Sequence, residues 1–213
     1  ELLDTLDSCG FTDNTVVVFV SDHGDMLGER GLWYKMNFFE GAARIPLSIA
    51  APGKFRPRNV SMPATAMDVL PTLLELAGID ESQLAMPLDG QSLVSAAKGD
   101  EQADRMVASE YMAEGSVSPM LMLRQGPWKF VYCAADPMQL FNLESDSLEL
   151  NNLADKAEHL ETVQHFVDTM NSRWNLDVLD DDIRENQQRR IVCYEALRQG
   201  RYTHWDYQPV QDA

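Results

Sequence analysis

Two adjacent side chains, Asp22 and His23, follow an apolar run and could together bind a divalent metal ion. The run, residues 15–20, is rich in β-branched residues, a pattern typical of a strand buried on both faces. In open parallel sheets, ligands gather at the carboxyl ends of the strands, which is where this pair would stand. The carboxylate supplies oxygen, the neutral imidazole supplies nitrogen, and Gly24 lets the backbone turn away sharply. The pair predicts a metal site; the alternative is that Asp22 caps a turn and His23 is partly exposed.

Lys35 lies in an apolar and aromatic stretch, residues 32–39, where burial of an ammonium without a partner is costly. A sulfate or phosphate group would supply that partner, because lysine is a natural point-charge donor to such an anion. Snorkelling of the ammonium over aromatic surface is the alternative. Glu40 and Arg44 are spaced for an ion pair on one helix face, which would orient the segment. Together with the metal pair, Lys35 indicates a metal site that handles an anionic ester.

The elements that must position these residues follow from apolar spacing and turn signals. Helices are predicted at residues 1–8, 92–98 and 157–174 and between Asp68, as its cap, and Gly78, as its stop. Strands are predicted at residues 15–20, 47–51, 106–111, 119–124, 128–133 and 139–142.

The predicted fold class is α/β, with a change of character along the chain. The first strands favour part of a parallel-sheet core flanked by helices, which we place at residues 1–105. The short strands that follow favour an antiparallel sheet in a small α+β subdomain, residues 106–179. Residues 180–213 form a C-terminal tail.

Composition excludes some classes of function. The formal charge of −17 argues against a nucleic-acid partner, since that requires clustered lysine and arginine. No apolar run approaches the ~20 residues of a membrane span. The three cysteines, Cys9, Cys133 and Cys193, form no C-x-x-C pair, so free thiols in a reducing compartment, the cytoplasm, are the expectation.

Several segments resemble type I sulfatases, which belong to the alkaline phosphatase superfamily. Residues 21–29, 31–36 and 39–47 read SDHGDMLGE, GLWYKM and FEGAARIPL, and are similar to the C-terminal signature of these enzymes. The run WYKMNFFEG at residues 33–41 is most similar to choline sulfatases. Residues 128–153 resemble the sulfatase C-terminal subdomain, and residues 186–209 resemble the extension of choline sulfatases. The resemblance implies an alkaline phosphatase-like core, and assigns the tail to that extension.

The resemblance also implies roles for the residues of the first motif. Asp22 and His23 match the second pair of metal ligands in the family. Lys35 matches the lysine that contacts the sulfate and stabilises charge on the leaving oxygen, which makes it both a catalytic and a substrate-binding residue. Many sulfatases have asparagine where His23 stands, and a nitrogen ligand suits Mn²⁺ or Zn²⁺ better than Ca²⁺. The divalent metal, Ca²⁺ or Mn²⁺/Mg²⁺, is therefore left open.

The nucleophile of the family is a hydrated formylglycine, made from cysteine or serine in a C-x-P-x-R-like motif. None of Cys9, Cys133 and Cys193 stands in such a context. The chain starts at Glu1, in what reads as the middle of an amphipathic helix. We therefore expect the formylglycine and the first metal-ligand pair to lie in a missing N-terminal half, and these residues alone to be inactive.

A choline ester carries a quaternary ammonium, which needs aromatic faces or a carboxylate because it cannot donate hydrogen bonds. Glu110 is the candidate for this contact, with Tyr111, Glu114, Trp33 and Tyr34 as further choices. Each has an ordinary alternative, as surface carboxylate or subdomain core.

The tail is too aromatic for a free linker, since it carries Trp205 and Tyr207. Packing on its own domain and docking onto a neighbouring subunit are both plausible, and we favour a homo-oligomer formed through the tail.

Three functions follow from these observations. The first is the C-terminal half of a metal-dependent sulfuric ester hydrolase that acts on choline sulfate, a small-molecule sulfate ester. The second is a phosphonate monoester or phosphodiester hydrolase of the same superfamily. The third is a non-catalytic oligomerisation piece, which would hold if the chain were complete as given.

Overall fold

The computed structural model describes residues 1–113 and 116–200. The chain divides into two compact units, Glu1–Val167 and Asp168–Ala213. Glu114, Trp205 and Tyr207, which were candidates for substrate or subunit contacts, lie outside the described residues.

Six helices and eight strands are described in residues 1–113 and 116–200. The helices are α1 Leu2–Ser8, α2 Glu40–Ala43, α3 Val69–Ala77, α4 Val94–Lys98, α5 Leu160–Arg173 and α6 Leu176–Arg198. The strands are β1 Val17–Val20, β2 Met26–Leu27, β3 Trp33–Tyr34, β4 Leu47–Ala50, β5 Met106–Tyr111, β6 Met120–Gln125, β7 Trp128–Cys133 and β8 Asp136–Asn142.

The first sheet joins β1 to β4, and its strand direction corrects one expectation. The two strands pair antiparallel, with Val20 opposite Leu47, whereas a parallel sheet was predicted. The β-branched run predicted burial on both faces, but Phe19 remains 65% exposed. β-branched residues favour a strand of either direction, so the run could predict the strand but not its partner.

The four-stranded sheet is the antiparallel sheet predicted for the later strands, in the order β5-β6-β7-β8. Because side chains alternate between the faces of a strand, neighbours along β7 point to opposite sides. Phe130, opposite Leu140, is buried and stacks on Phe166 of α5 at a ring distance of 5.6 Å. Lys129, opposite Phe141, belongs to the other face.

Helix α3 ends as predicted, with Gly78 in the left-handed conformation at φ 72°. Its start differs from the prediction, because the side chain of Asp68 does not cap α3. Instead, the fully buried carboxylate accepts hydrogen bonds from the backbone N–H groups of Thr65 and Gln91, and from the guanidinium of Arg105 at 2.7 Å. This buried pair fastens the start of α3 to the chain just before β5.

The second unit contains the end of α5 and the whole of α6. The sequence analysis placed no helix at α6, because its polar composition hides the helical period. Arg184 and Arg189 each pair with an acidic residue one turn earlier, Asp180 and Glu185, a spacing that supports exposed helices. In the described part of the chain, no helix is long and apolar enough to cross a membrane.

Candidate active site

The Asp22–His23 pair stands directly after β1, in a tight local hydrogen-bond arrangement. Ser21 Oγ donates to the carbonyl oxygen of His23 at 2.7 Å, and Asp22 Oδ1 accepts the backbone N–H of His23 at 2.9 Å. That N–H holds the pKa of Asp22 below its usual range, because it stabilises the ionised carboxylate. Asp22 Oδ2 lies 3.4 Å from His23 Nε2. The two potential donor atoms are therefore close enough to share one ion.

The contacts of the His23 ring define which nitrogen carries the proton. Nδ1 lies 2.9 Å from the carbonyl oxygen of Gly24, and such an oxygen accepts only from an N–H. Nδ1 is therefore assigned the proton, which leaves the lone pair on Nε2. A backbone carbonyl that fixes the other ring nitrogen is the usual support of a metal-binding histidine.

Lys35 joins this pair through its ammonium, whose Nζ lies 2.9 Å from Nε2 of His23. The short β2–β3 hairpin, in which Met26 pairs with Tyr34, returns the chain to the site just before the lysine. Tyr34 has φ 70°, a left-handed conformation that is rare for a bulky residue and redirects the backbone there. The backbone N–H of Asn37 then donates to the carbonyl oxygen of Lys35 at 2.7 Å.

Gly24 fastens the site to α2 by a close backbone contact. Its N–H donates to the carbonyl oxygen of Ala42 at 2.8 Å. A Cβ at Gly24 would lie 2.1 Å from the carbonyl oxygen of Gly41, so no other residue fits. Gly41 in turn packs on the buried side chain of Met26. The backbone beside His23 is therefore set by the position of α2.

The structure brings three of the four predicted site residues together. Asp22, His23 and Lys35 form one cluster, and the ammonium contacts the imidazole of His23 where the sequence suggested an anion. Glu110 lies exposed on β5, in a different sheet, and takes no part in the described contacts of the cluster. Its part in substrate binding stays a prediction.

The donor set fits part of a metal site. The ionised carboxylate of Asp22 and the Nε2 lone pair of His23 are suitable oxygen and nitrogen ligands for a divalent cation. Among residues 1–113 and 116–200, no group of three or more His, Cys, Asp and Glu side chains could hold a metal ion. A single lone pair cannot serve Lys35 and a metal at once, so metal binding at His23 requires the ammonium to move away.

Glu40 has a partner other than the one predicted. The expected ion pair with Arg44 is replaced by a contact of Glu40 Oε1 with Nζ of Lys129, at 2.9 Å. The same ammonium lies 2.8 Å from Oε1 of Glu149. Sequence reasoning missed both partners because they lie far along the chain. The one available signal was a lysine between the apolar residues Trp128 and Phe130 in a strand.

Comparison of the chain with known proteins identifies its family. A model described as "Sulfatase" matches residues 1–79, and one described as "Choline sulfatase enzyme C terminal" matches residues 181–213. A choline-sulfatase of Rhizobium meliloti (strain 1021) is 50% identical over 216 residues, which cover 100% of this chain and 42% of that protein. The chain belongs to the sulfatase family. It corresponds to a portion of that choline-sulfatase and spans less than half of its length.

Solved structures share the fold of this chain. A protein in complex with its substrate D-glucosamine-2-N,6-O-disulfate matches with a TM-score of 0.69 and 26% identity, over 81% of this chain and 36% of that one. A phosphonate monoester hydrolase of Agrobacterium radiobacter matches with a TM-score of 0.67 and 25% identity, over 80% and 37%. These matches confirm the α/β, alkaline phosphatase-like fold class implied by the resemblance.

Proposed function

We propose that this chain supplies part of the active site of a metal-dependent sulfuric ester hydrolase, and that the substrate is choline sulfate. The observation that carries the proposal is the cluster of Asp22, His23 and Lys35, in which a carboxylate, an imidazole lone pair and an ammonium converge. The identity of 50% to a choline-sulfatase over the whole chain supports the choice of substrate.

Each residue of the cluster has a definite task in this proposal. Asp22 and His23 would hold a divalent cation, Ca²⁺ or Mn²⁺/Mg²⁺, together with ligands from elsewhere in the protein. When bound, the cation supplies Lewis-acid polarisation of the sulfate oxygens. Lys35 would bind the sulfate ester and stabilise the negative charge that develops on the leaving oxygen. To bind the anion, the exposed ammonium of Lys35 has only to leave Nε2 of His23 and contact a sulfate oxygen instead.

The choline group would be bound beside the sulfate. Trp33 and Tyr34, on the strand just before Lys35, are 62% and 67% exposed and offer aromatic faces to a quaternary ammonium. The Trp33 ring lies beside Gly28, where an added Cβ would be 3.4 Å away. Glu110 is the carboxylate proposed for the same cation. A carboxylate and aromatic faces together favour choline over an uncharged alcohol.

A phosphonate monoester hydrolase is the second candidate, because a solved enzyme of that description has the same fold over 80% of this chain. An ammonium and a metal site serve a phosphonate oxygen as well as a sulfate oxygen. The match of residues 181–213 to the choline sulfatase C-terminal model argues for the sulfate ester.

A direct comparison of substrates tests the proposal. Full-length protein, with divalent metal supplied, should release sulfate from choline sulfate with a kcat/KM well above that for a phosphonate monoester. The isolated 213-residue chain, assayed in parallel, should be inactive with both substrates. Preference for the phosphonate ester would replace the first candidate by the second, and hydrolysis of neither would refute both.

The proposal also covers the cellular compartment and the oligomeric state of the protein. Cys9, Cys133 and Cys193 are free thiols, which supports a reducing, cytoplasmic setting. Homo-oligomerisation through the tail is proposed from its aromatic composition, and residues 201–213 lie outside the described part of the chain.

A further inference from the structure

A largely buried ion cluster joins α2 to the four-stranded sheet, on the face of that sheet opposite Phe130. The ammonium of Lys129 is 1% exposed and lies between the carboxylates of Glu40 and Glu149, at 2.9 and 2.8 Å. Glu149 is 2% exposed, and the Lys129 ammonium is the charged partner of its Oε1. Burial of the Lys129–Glu149 pair is costly, and apolar residues of similar size often give equal or greater stability. Stability alone therefore does not explain this cluster.

Glu149 also caps the short helix α2. Its Oε2 accepts the backbone N–H of Glu40 at 2.7 Å, whereas the N-cap residue of α2, Phe39, makes no side-chain cap. An acceptor at this position satisfies an N–H that the helix leaves unpaired, and its charge suits the helix N-terminus. A residue of the loop that follows β8 thus fixes where α2 begins.

The loop that carries Glu149 is itself held by local hydrogen bonds. Glu149 has φ 56°, a strained conformation that persists where surrounding contacts determine it. Asp146 supplies such contacts, because its carboxylate accepts the backbone N–H groups of Leu150 and Asn151 and its carbonyl oxygen accepts that of Glu149. Strain of this kind often marks a functional constraint.

The same loop also holds the other end of the segment that carries Lys35. The guanidinium of Arg30 donates to the carbonyl oxygens of Leu148 and Glu149, and lies 4.2 Å from the ring centre of Phe39. The loop therefore contacts the segment both before and after Lys35. Residues 30–40 are held at two points, with the lysine between them.

A short path leads from α2 to the imidazole. The carbonyl oxygen of Ala42, at the end of α2, accepts the N–H of Gly24, and the carbonyl oxygen of Gly24 accepts Nδ1–H of His23. A shift of α2 would move Gly24 directly, because their backbones are in contact. We propose that Glu149 and Lys129 are positioning residues of the Asp22–His23–Lys35 site, acting through α2 and Gly24. The effect on catalysis rests on the proposed function, whereas the effect on His23 does not.

The test reads the His23 ring directly, by nitrogen NMR of metal-free full-length protein labelled at histidine, with the resonance assigned from His23→Gln. Wild type should show the proton on Nδ1. In Glu149→Gln and in Lys129→Met, the His23 signal should no longer report this single tautomer, and kcat/KM for choline sulfate should fall by about 10-fold. Lys129→Arg, which keeps the positive charge, should retain most of the wild-type signal.

Arg105→Met is the matched control, because it breaks another buried ion pair, with Asp68, that makes no described contact with α2. It should lower the melting temperature but leave the His23 signal unchanged. The proposal is overturned if Arg105→Met changes His23 as much as the cluster variants do, or if His23 is unaffected in all of them.

Two further outcomes are also decisive. If Lys129→Met does not fold, Glu149→Asp must give the same change in His23, since it keeps the charge but shortens the reach to the Glu40 N–H; an unchanged signal refutes the proposal. If wild type hydrolyses no sulfate ester, the proposed function fails, and the NMR result still decides whether the cluster positions His23.

Discussion

Replacement of Lys35 by methionine should lower kcat/KM for choline sulfate by about 10²- to 10³-fold, the usual effect of removing one donor that stabilises developing oxyanion charge. Methionine keeps the length of the side chain but removes the ammonium that lies 2.9 Å from His23 Nε2. Because Lys35 is exposed, folding should be almost unchanged. Steady-state kinetics of the full-length protein and a thermal melt measure the two effects separately.

Lys54→Met is the matched control for this prediction. Lys54 is also exposed, but it follows β4 at Ala50, which pairs with Val17 and so lies at the end of the sheet remote from Asp22. Its replacement removes the same charge from the chain and should leave the kinetics intact. Equal losses in the two variants would mean that Lys35 acts through net charge and has no specific contact with the sulfate.

Replacement of Gly24 by alanine should destabilise the protein by about 1–3 kcal/mol and also abolish most activity. The added Cβ would meet the carbonyl oxygen of Gly41 at 2.1 Å, and backbone cannot rotate away as a side chain could. Relief of the clash must separate Gly24 from α2 and stretch its hydrogen bond to Ala42. The His23 ring is displaced at the same time, because its Nδ1 is hydrogen-bonded to the Gly24 carbonyl oxygen. Urea unfolding and kcat/KM measure the two losses.

Gly53→Ala separates these effects. Gly53 has φ 72°, so alanine there is strained by about 1–2 kcal/mol, but no atom lies within 4 Å of its Cβ position. This variant should lose stability and keep its activity. If Gly24→Ala retained activity at a similar loss of stability, the backbone contact with α2 would not be what positions the site.

Local patterns predicted the secondary structure well where turn residues bound a strand or a glycine ends a helix. The strands at Met106–Tyr111 and Trp128–Cys133 have the predicted limits, and Gly78 ends α3 as expected. Strand direction in the first sheet was wrong, because a β-branched run carries no information about its partner. Helix α6 was missed because its support is charge pairing along the helix, with little apolar period.

The site was predictable to the extent that its residues lie close in sequence or match a family motif. Asp22, His23 and Lys35 converge because a two-strand hairpin joins them within one segment. The contacts that hold α2 beside these residues were not predictable, since Lys129 and Glu149 reach Glu40 from a different sheet and from the loop that follows it. No spacing rule links residues so far apart, and the local rule favoured Arg44 instead.

The location of a bound metal tests the central claim most directly. Crystals of the full-length protein with Mn²⁺ and choline sulfate, measured at the manganese absorption edge, should show an anomalous peak about 2.0–2.3 Å from both Asp22 Oδ and His23 Nε2. Because the lone pair of Nε2 would then be occupied, Lys35 Nζ should have left it and lie within hydrogen-bond distance of a sulfate oxygen. A manganese peak away from Asp22 and His23, or a sulfate ester bound without contact to Lys35, would contradict the account.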